Sequence, residues 1–249
     1  MKKTNILLGS AVVLASLVNG GNVFAATSTG SAADPVTANT PVSTTLTVPN
    51  TNTPKAPTDP NDPDKGLNEQ GTVNGEDGNL GIAYYPKAFN FSGKLGADKL
   101  VLNDTGTNVA QGVTYNIGVK DNTHTNNSWT LTAKLSWTTG SLPGSTIKLT
   151  NSGVVKQNIN NGTDNFQEAD LVDQNPQVVT GNSNVIIGDS ATNIMTKPSS
   201  TIGIGTYDYQ LAELGDLQLD IPNATSLQAG DYAGTVTWDL AVVPGTAVN

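Results

Sequence analysis

The stretch that decides the fold is WTLTAKLSW, residues 129–137, in which every odd position is apolar and every even position is polar. Because successive side chains of a β-strand point to opposite faces, this alternation predicts a strand with one buried face and one wet face. Residues 232–242 show the same pattern, with Val236, Trp238 and Leu240 on one side. Both stretches are typical of antiparallel sheets that cover a core on one face.

Shorter segments with the same period predict further strands at residues 113–119, 147–149 and 217–221. Clusters of Asn, Gly, Thr and Pro between the segments are typical of turns. Only residues 166–172 and 207–214 are candidates for a short helical turn. The sequence therefore predicts an all-β domain, an antiparallel β-sandwich, with a partly closed β-barrel as the alternative.

The N-terminal part of the chain carries signals of export rather than of a fold. Two lysines precede an apolar run over residues 6–18, and Ala25 ends a site suited to signal peptidase. Residues 1–25 are therefore predicted to be a signal peptide that is removed, leaving no transmembrane segment in the mature chain. Residues 26–74 are rich in Thr, Ser and Pro and are predicted to be a disordered linker before a β domain at residues 75–249.

Composition excludes several classes of function. The 249 residues include 12 Lys+Arg and 21 Asp+Glu, a net charge of −9, which argues against a nucleic-acid partner. The absence of cysteine excludes disulfides, Cys-ligated metals and thiol catalysis. The single histidine, His124, lies in a run of turn residues, and no nucleophile motif accompanies it. We therefore expect a protein that is not an enzyme and that uses no metal or cofactor.

Two copies of Trp-x-Leu lie more than 100 residues apart, one at Trp129 and Leu131 and the other at Trp238 and Leu240. The second copy is flanked by Tyr232, Val236, Thr237 and Pro244. This pattern resembles the WxL domain of Gram-positive surface proteins. The distal motif of that family reads Tyr, three residues, an aliphatic residue, Thr-Trp-x-Leu, three residues and Pro.

The resemblance implies a secreted protein on the cell wall surface that attaches non-covalently by binding peptidoglycan, in some members together with other surface proteins encoded nearby. It assigns binding to the motif residues Trp129, Leu131, Tyr232, Val236, Trp238, Leu240 and Pro244. The alternative is a structural or adhesive subunit that docks a membrane- or wall-anchored partner. The residues leave open whether the motif tryptophans contact the ligand or build the core that shapes the binding surface.

The net charge gives a separate expectation about how a wall would be bound. A negative protein and a wall rich in teichoic phosphates repel each other, so uncharged contacts should supply the attraction. The competing hypothesis places four lysines on one phosphate-binding patch: Lys87, Lys94, Lys99 and Lys120. That hypothesis predicts binding that weakens steeply with salt.

Overall fold

The computed structural model describes residues 40–48, 51–59, 61–73, 78–106, 110 and 112–244. The predicted signal peptide and its cleavage site lie outside these residues. The chain divides into two units, Met1–Thr45 and Leu46–Asn249. Of the first unit, residues 40–45 are described, and they are exposed and belong to no helix or strand.

The second unit is built from short and long strands. Their bounds are β1 (Asn68–Gln70), β2 (Leu80–Pro86), β3 (Leu100–Asn103), β4 (Thr114–Asp121), β5 (Ser128–Thr139), β6 (Thr146–Lys148), β7 (Val155–Asn158), β8 (Leu171–Asp173), β9 (Thr180–Gly181), β10 (Ile186–Ile187), β11 (Thr192–Lys197), β12 (Gly205–Glu213), β13 (Gln218–Ile221) and β14 (Ala233–Val243). A 3-10 turn at Glu168–Asp170 precedes β8 and lies within residues 166–172, one of the two candidates for a helical turn.

The strands form three sheets in which the paired strands are antiparallel. A six-stranded sheet has the order β1-β2-β4-β12-β7-β8, and two four-stranded sheets have the orders β10-β6-β13-β3 and β14-β5-β11-β9. Ile117, Leu131 and Leu219, one from each sheet, belong to one apolar core. The predicted all-β, sandwich-like class is confirmed, although the sheets number three rather than two. Within the described ranges no sheet closes into a barrel.

The central strand β4 is buried on both faces, unlike β5. Its odd residues, such as Ile117, face the main core. Its even residues, including Asn116 and Lys120, are also buried. We call the side of the six-stranded sheet that carries Asn116, Lys120 and Asp208 its outer face. Alternation predicted this strand correctly but could not show that its polar side would also be covered.

The outer face is covered by residues that the sequence analysis assigned to a disordered linker. Within that predicted linker, β1 pairs with β2, and Pro54, Ala56 and Pro57 are buried. We call residues 51–57 the strap. The structure places the strap and β1 against the domain, and β1 begins before the predicted boundary at residue 75.

Amide side chains hold the strap, which explains how a Pro-rich segment can be ordered. Gln70 accepts from the Ala56 N–H (2.9 Å) and donates to the Pro54 carbonyl (3.1 Å). Asn158 of β7 donates to the carbonyl of Lys55 at 2.9 Å. Proline removes backbone donors but leaves carbonyls, and side-chain amides can satisfy those without a second strand.

Candidate functional site

The two Trp-x-Leu motifs lie on neighbouring antiparallel strands, and their leucines are directly opposite each other. In the β5–β14 register, Leu131 is opposite Leu240, Ala133 is opposite Trp238, and Trp129 is opposite Val242. We call these three cross-strand pairs the motif ladder. The two tryptophans lie four residues apart along the ladder, roughly 13 Å, on either side of the leucine pair. The two motifs, which are more than 100 residues apart in the sequence, are therefore direct cross-strand neighbours in the fold.

Trp129 is part of the core. Its side chain is 1% exposed, and its ring centroid lies 6.2 Å from that of Tyr207. Its indole N–H donates to Oδ2 of Asp121 at 2.9 Å. Because the only donor of the indole is used inside the protein, Trp129 has no polar group left for a ligand.

The carboxylate that holds Trp129 belongs to a buried charged cluster. Lys197 lies 3.8 Å from Asp121, and both side chains are fully buried. The ammonium of Lys197 also donates to the carbonyl oxygens of Asn127 and Thr125. Burial lowers the pKa of Lys197, and the charge of Asp121 opposes that shift. A Cβ at Gly203 would lie 2.1 Å from Asp121, so only glycine fits there.

The distal motif has a different environment, because among the described strands β14 pairs with β5 alone and lies at the edge of its sheet. Val236, Trp238 and Leu240 are half-buried and pack against the core, whereas the residues between them are exposed. The indole N–H of Trp238 has no hydrogen-bond partner in the part of the chain that the structure describes. Trp238 therefore offers a ring edge and a free donor near solvent, which Trp129 does not.

The two outermost motif residues lie at the ends of β14. Tyr232 precedes the strand, and its hydroxyl donates to the carbonyl of Gln228 at 2.9 Å. Its ring packs over Gly140, where φ is +68° and a Cβ would lie 2.5 Å from the ring. Pro244 follows the strand and is exposed. The structure thus brings five of the seven predicted residues onto one pair of neighbouring strands and places Tyr232 and Pro244 at the ends of β14.

The four lysines of the competing charge hypothesis do not share a surface. Lys120 is 2% exposed on the outer face, whereas Lys87, Lys94 and Lys99 are exposed. Lys99 pairs with Asp220 at 2.7 Å. A phosphate-binding patch that includes all four is therefore not formed.

Sequence reasoning missed a buried polar cluster on the outer face. Tyr84 donates to Oδ2 of Asp208 at 2.8 Å, and Asn116 donates to Oδ1 at 2.9 Å. Burial raises the pKa of Asp208 to about 6, although these two hydrogen bonds act in the opposite direction. The signal was an acidic residue between the two tyrosines Tyr207 and Tyr209 in the middle of a strand.

The raised pKa of Asp208 predicts the pH dependence of stability. A carboxyl whose pKa is higher in the folded state binds its proton more tightly there, so the contribution of Asp208 to stability is fully present below the ordinary pKa of 3.8 and is lost as pH rises through about 6. Two pKa units correspond to roughly 3 kcal/mol of unfolding free energy. Urea unfolding of the wild type and Asp208→Asn from pH 4 to pH 8 should show this loss in the wild type alone. Parallel pH profiles for the two proteins would contradict it.

The described ranges contain no group of three or more His, Cys, Asp or Glu side chains placed to hold a metal ion. They also contain no helix of the length and apolar character needed to cross a membrane. His124 is exposed and has a positive φ of 54°, which is common in tight turns.

Comparison with known proteins identifies the family. Neither the curated proteins nor the solved structures contain a match to this chain. The family model described as a WxL domain, surface cell wall-binding, matches residues 33–244. The match includes both Trp-x-Leu motifs, the β5–β14 pair and the strap. The chain therefore belongs to the WxL domain family of surface proteins that bind the cell wall.

Proposed function

We propose that this protein attaches non-covalently to peptidoglycan through β14 and that it acts without catalysis. The observation that carries the proposal is the asymmetry of the two tryptophans. Trp129 is buried and its indole N–H is bound to Asp121. Trp238 is half-buried on an edge strand, within the motif that defines a wall-binding family. The proximal motif builds the support, and the distal motif contacts the ligand.

The chemistry of β14 suits the uncharged sugar and amide groups of peptidoglycan. Thr235, Thr237 and Asp239 are exposed on one side of the strand, and the Trp238 ring is half-exposed on the other. An aromatic ring packs against the apolar face of a sugar, and hydroxyls and free backbone groups hydrogen-bond to glycan and peptide. With a net charge of −9, the protein gains little from long-range attraction to a negative wall.

A second function is favoured by the outer edge of β14. The strand has 11 residues and contains neither Lys nor Pro, the residues that commonly protect a free edge. An extended segment of another surface protein could add to this edge as a further strand. In this alternative the protein is a structural or adhesive subunit, and its association with the wall depends on that partner.

We propose that residues 1–25 direct export and are removed after Ala25, which would place the mature protein outside the cell, on the wall surface. The apolar run at residues 6–18 is shorter than the roughly 20 residues that a membrane-spanning helix needs. The wall-binding family supports this location.

Trp238→Ala should separate binding from folding. Because the ring is half-buried on an edge strand, the substitution should lower the unfolding free energy by only about 1–2 kcal/mol. It should nevertheless abolish sedimentation of the protein with purified cell walls. Val243→Ala is the matched control, because Val243 is 63% exposed on the same strand and lies outside the motif ladder.

The result that would contradict the proposed contact is equal wall binding by Trp238→Ala and the wild type, with both proteins folded. A large loss of stability in Trp238→Ala would instead give this tryptophan the structural role that we assign to Trp129. Thermal melts of the three proteins distinguish the two outcomes.

A further inference from the structure

A cavity of about 400 Å³ opens where the strap crosses the outer face of the six-stranded sheet. It lies on the side of that sheet opposite the main core. Its polar lining includes Thr51, Asn52, Lys120, Asn122, Asn158 and Thr206. The family motifs contribute nothing to this lining, so the cavity is separate from the motif ladder.

Within the described ranges, Lys120 is a buried cation without a carboxylate partner. Its side chain is 2% exposed, and among the described residues no acidic side chain lies within ion-pair distance of it. Its ammonium donates to the carbonyls of Thr51 and Gly78. An ammonium has three N–H donors, so among the described residues one donor and the positive charge have no partner. Lys197, also buried, has Asp121 beside it.

Other charges near the cavity do not neutralise Lys120. Asp170 accepts from Asn160 at 2.9 Å and from the Gln167 N–H at 2.8 Å. Burial lowers the pKa of Lys120, with no opposing charge effect. Burial of a charge costs less free energy when a ligand of opposite charge binds beside it.

We propose that this cavity binds an oxyanion carried on a hydroxyl- or amide-bearing fragment of the wall, with Lys120 as the charged contact. The inference rests on the proposed wall-binding function and adds a second, anion-specific contact to it. Two groups in walls have this chemistry, the carboxylates of peptidoglycan and the phosphates of teichoic acid.

The neutral part of the ligand would meet the polar walls of the cavity. Thr206 is 2% exposed, and its hydroxyl has no hydrogen-bond partner within the described residues. The Asn122 side-chain amide donates to Thr51 at 3.2 Å, and that of Asn52 donates to the Asn161 carbonyl at 3.3 Å. Each of these amides keeps its carbonyl oxygen available as an acceptor for a ligand hydroxyl or amide. A ligand that places a carboxylate next to Lys120 and a sugar or peptide beside these amides would pair with the charge of Lys120 and with the hydrogen-bonding groups of the cavity walls.

The test is a titration of the isotope-labelled full chain with three soluble probes. Muramyl dipeptide carries a carboxylate, glycerol phosphate carries a phosphate, and N-acetylglucosamine is neutral. We expect at least one anionic probe to shift the amide resonances of Lys120 and Thr206, and the neutral probe to bind at least about tenfold more weakly. The anionic probe that binds more tightly identifies the source of the oxyanion.

Two variants test the role of the named side chains. Lys120→Met keeps the length of the side chain and should lower the affinity for the anionic probe by about tenfold or more. Thr206→Val is isosteric and should lower the same affinity by about threefold. Lys148→Met, which removes an exposed lysine of β6, should bind as the wild type does. If Lys120→Met does not fold, the resonance shifts of the wild type and the affinity of Thr206→Val still test whether the cavity binds an oxyanion.

The proposal is overturned if no anionic probe binds, if the neutral probe binds equally well, or if the shifts map to β5 and β14 instead of the cavity. It is also overturned if folded Lys120→Met has the affinity of the wild type. Sedimentation of the same proteins with whole walls separates this failure from that of the proposed function. A wild type that binds walls while its cavity binds no anion refutes only the cavity.

Discussion

Trp129→Ala is expected to cost about 3–5 kcal/mol of unfolding free energy, the largest effect of any single substitution in the motifs. The substitution removes a ring that is 1% exposed and leaves Asp121 without one of its buried donors. Urea denaturation at pH 7 measures the loss. Wall binding should disappear together with the folded state rather than separately from it.

Trp129→Phe is the matched variant, because it keeps most of the apolar area and removes only the indole N–H. Loss of a hydrogen bond to a buried charged group should cost about 1.5–3 kcal/mol. Folded Trp129→Phe should still sediment with walls, since its role is to support β14 and not to touch the ligand. A Trp129→Ala protein that melts like the wild type but no longer binds walls would reverse the roles of the two tryptophans.

Removal of residues 1–74 is expected to destabilise the domain by about 4 kcal/mol or more. This truncation deletes β1, the strap and Leu67, which is 6% exposed and belongs to the main core. It also removes the Thr51 carbonyl that Lys120 binds and the Asn68 amide that contacts β4. Loss of one buried leucine and several buried hydrogen bonds gives this magnitude.

The control for this truncation is a chain of residues 46–249, which keeps the strap and β1. We expect it to unfold at the same urea concentration as the mature protein, whereas residues 75–249 unfold earlier or do not fold. Equal stability of the two truncated chains would show that the strap and β1 contribute nothing to the domain.

Hydrophobic alternation predicted the strands that matter most for the motifs. β5 and β14 lie where the period of two placed them, and Trp129, Leu131 and Leu135 are buried on one face as expected. Residues 207–214, a candidate helical turn, instead lie mostly in β12 (Gly205–Glu213). A central strand covered on both faces has a nearly continuous run of buried residues, and periodicity cannot separate such a run from a short helix.

Other features depend on topology, which the sequence pattern does not contain. The two Trp-x-Leu stretches alternate equally well, yet one strand is interior and the other is an edge, and this decides the exposure of Trp129 and Trp238. The strap was missed for another reason. Its prolines and short side chains are typical of disorder, while the amides that hold it, Gln70 and Asn158, lie elsewhere in the chain.

The most direct test of the central claim is sedimentation of the purified mature protein with peptidoglycan sacculi stripped of proteins and teichoic acids. Saturable binding to these sacculi, retained between about 0.05 and 0.2 M salt, is the result that we predict, because uncharged contacts at β14 are screened little by ions. Trp238→Ala should remain in the supernatant. Failure of the folded wild type to bind without another surface protein would contradict direct attachment to peptidoglycan, and steep loss of binding with salt would contradict attachment by uncharged contacts.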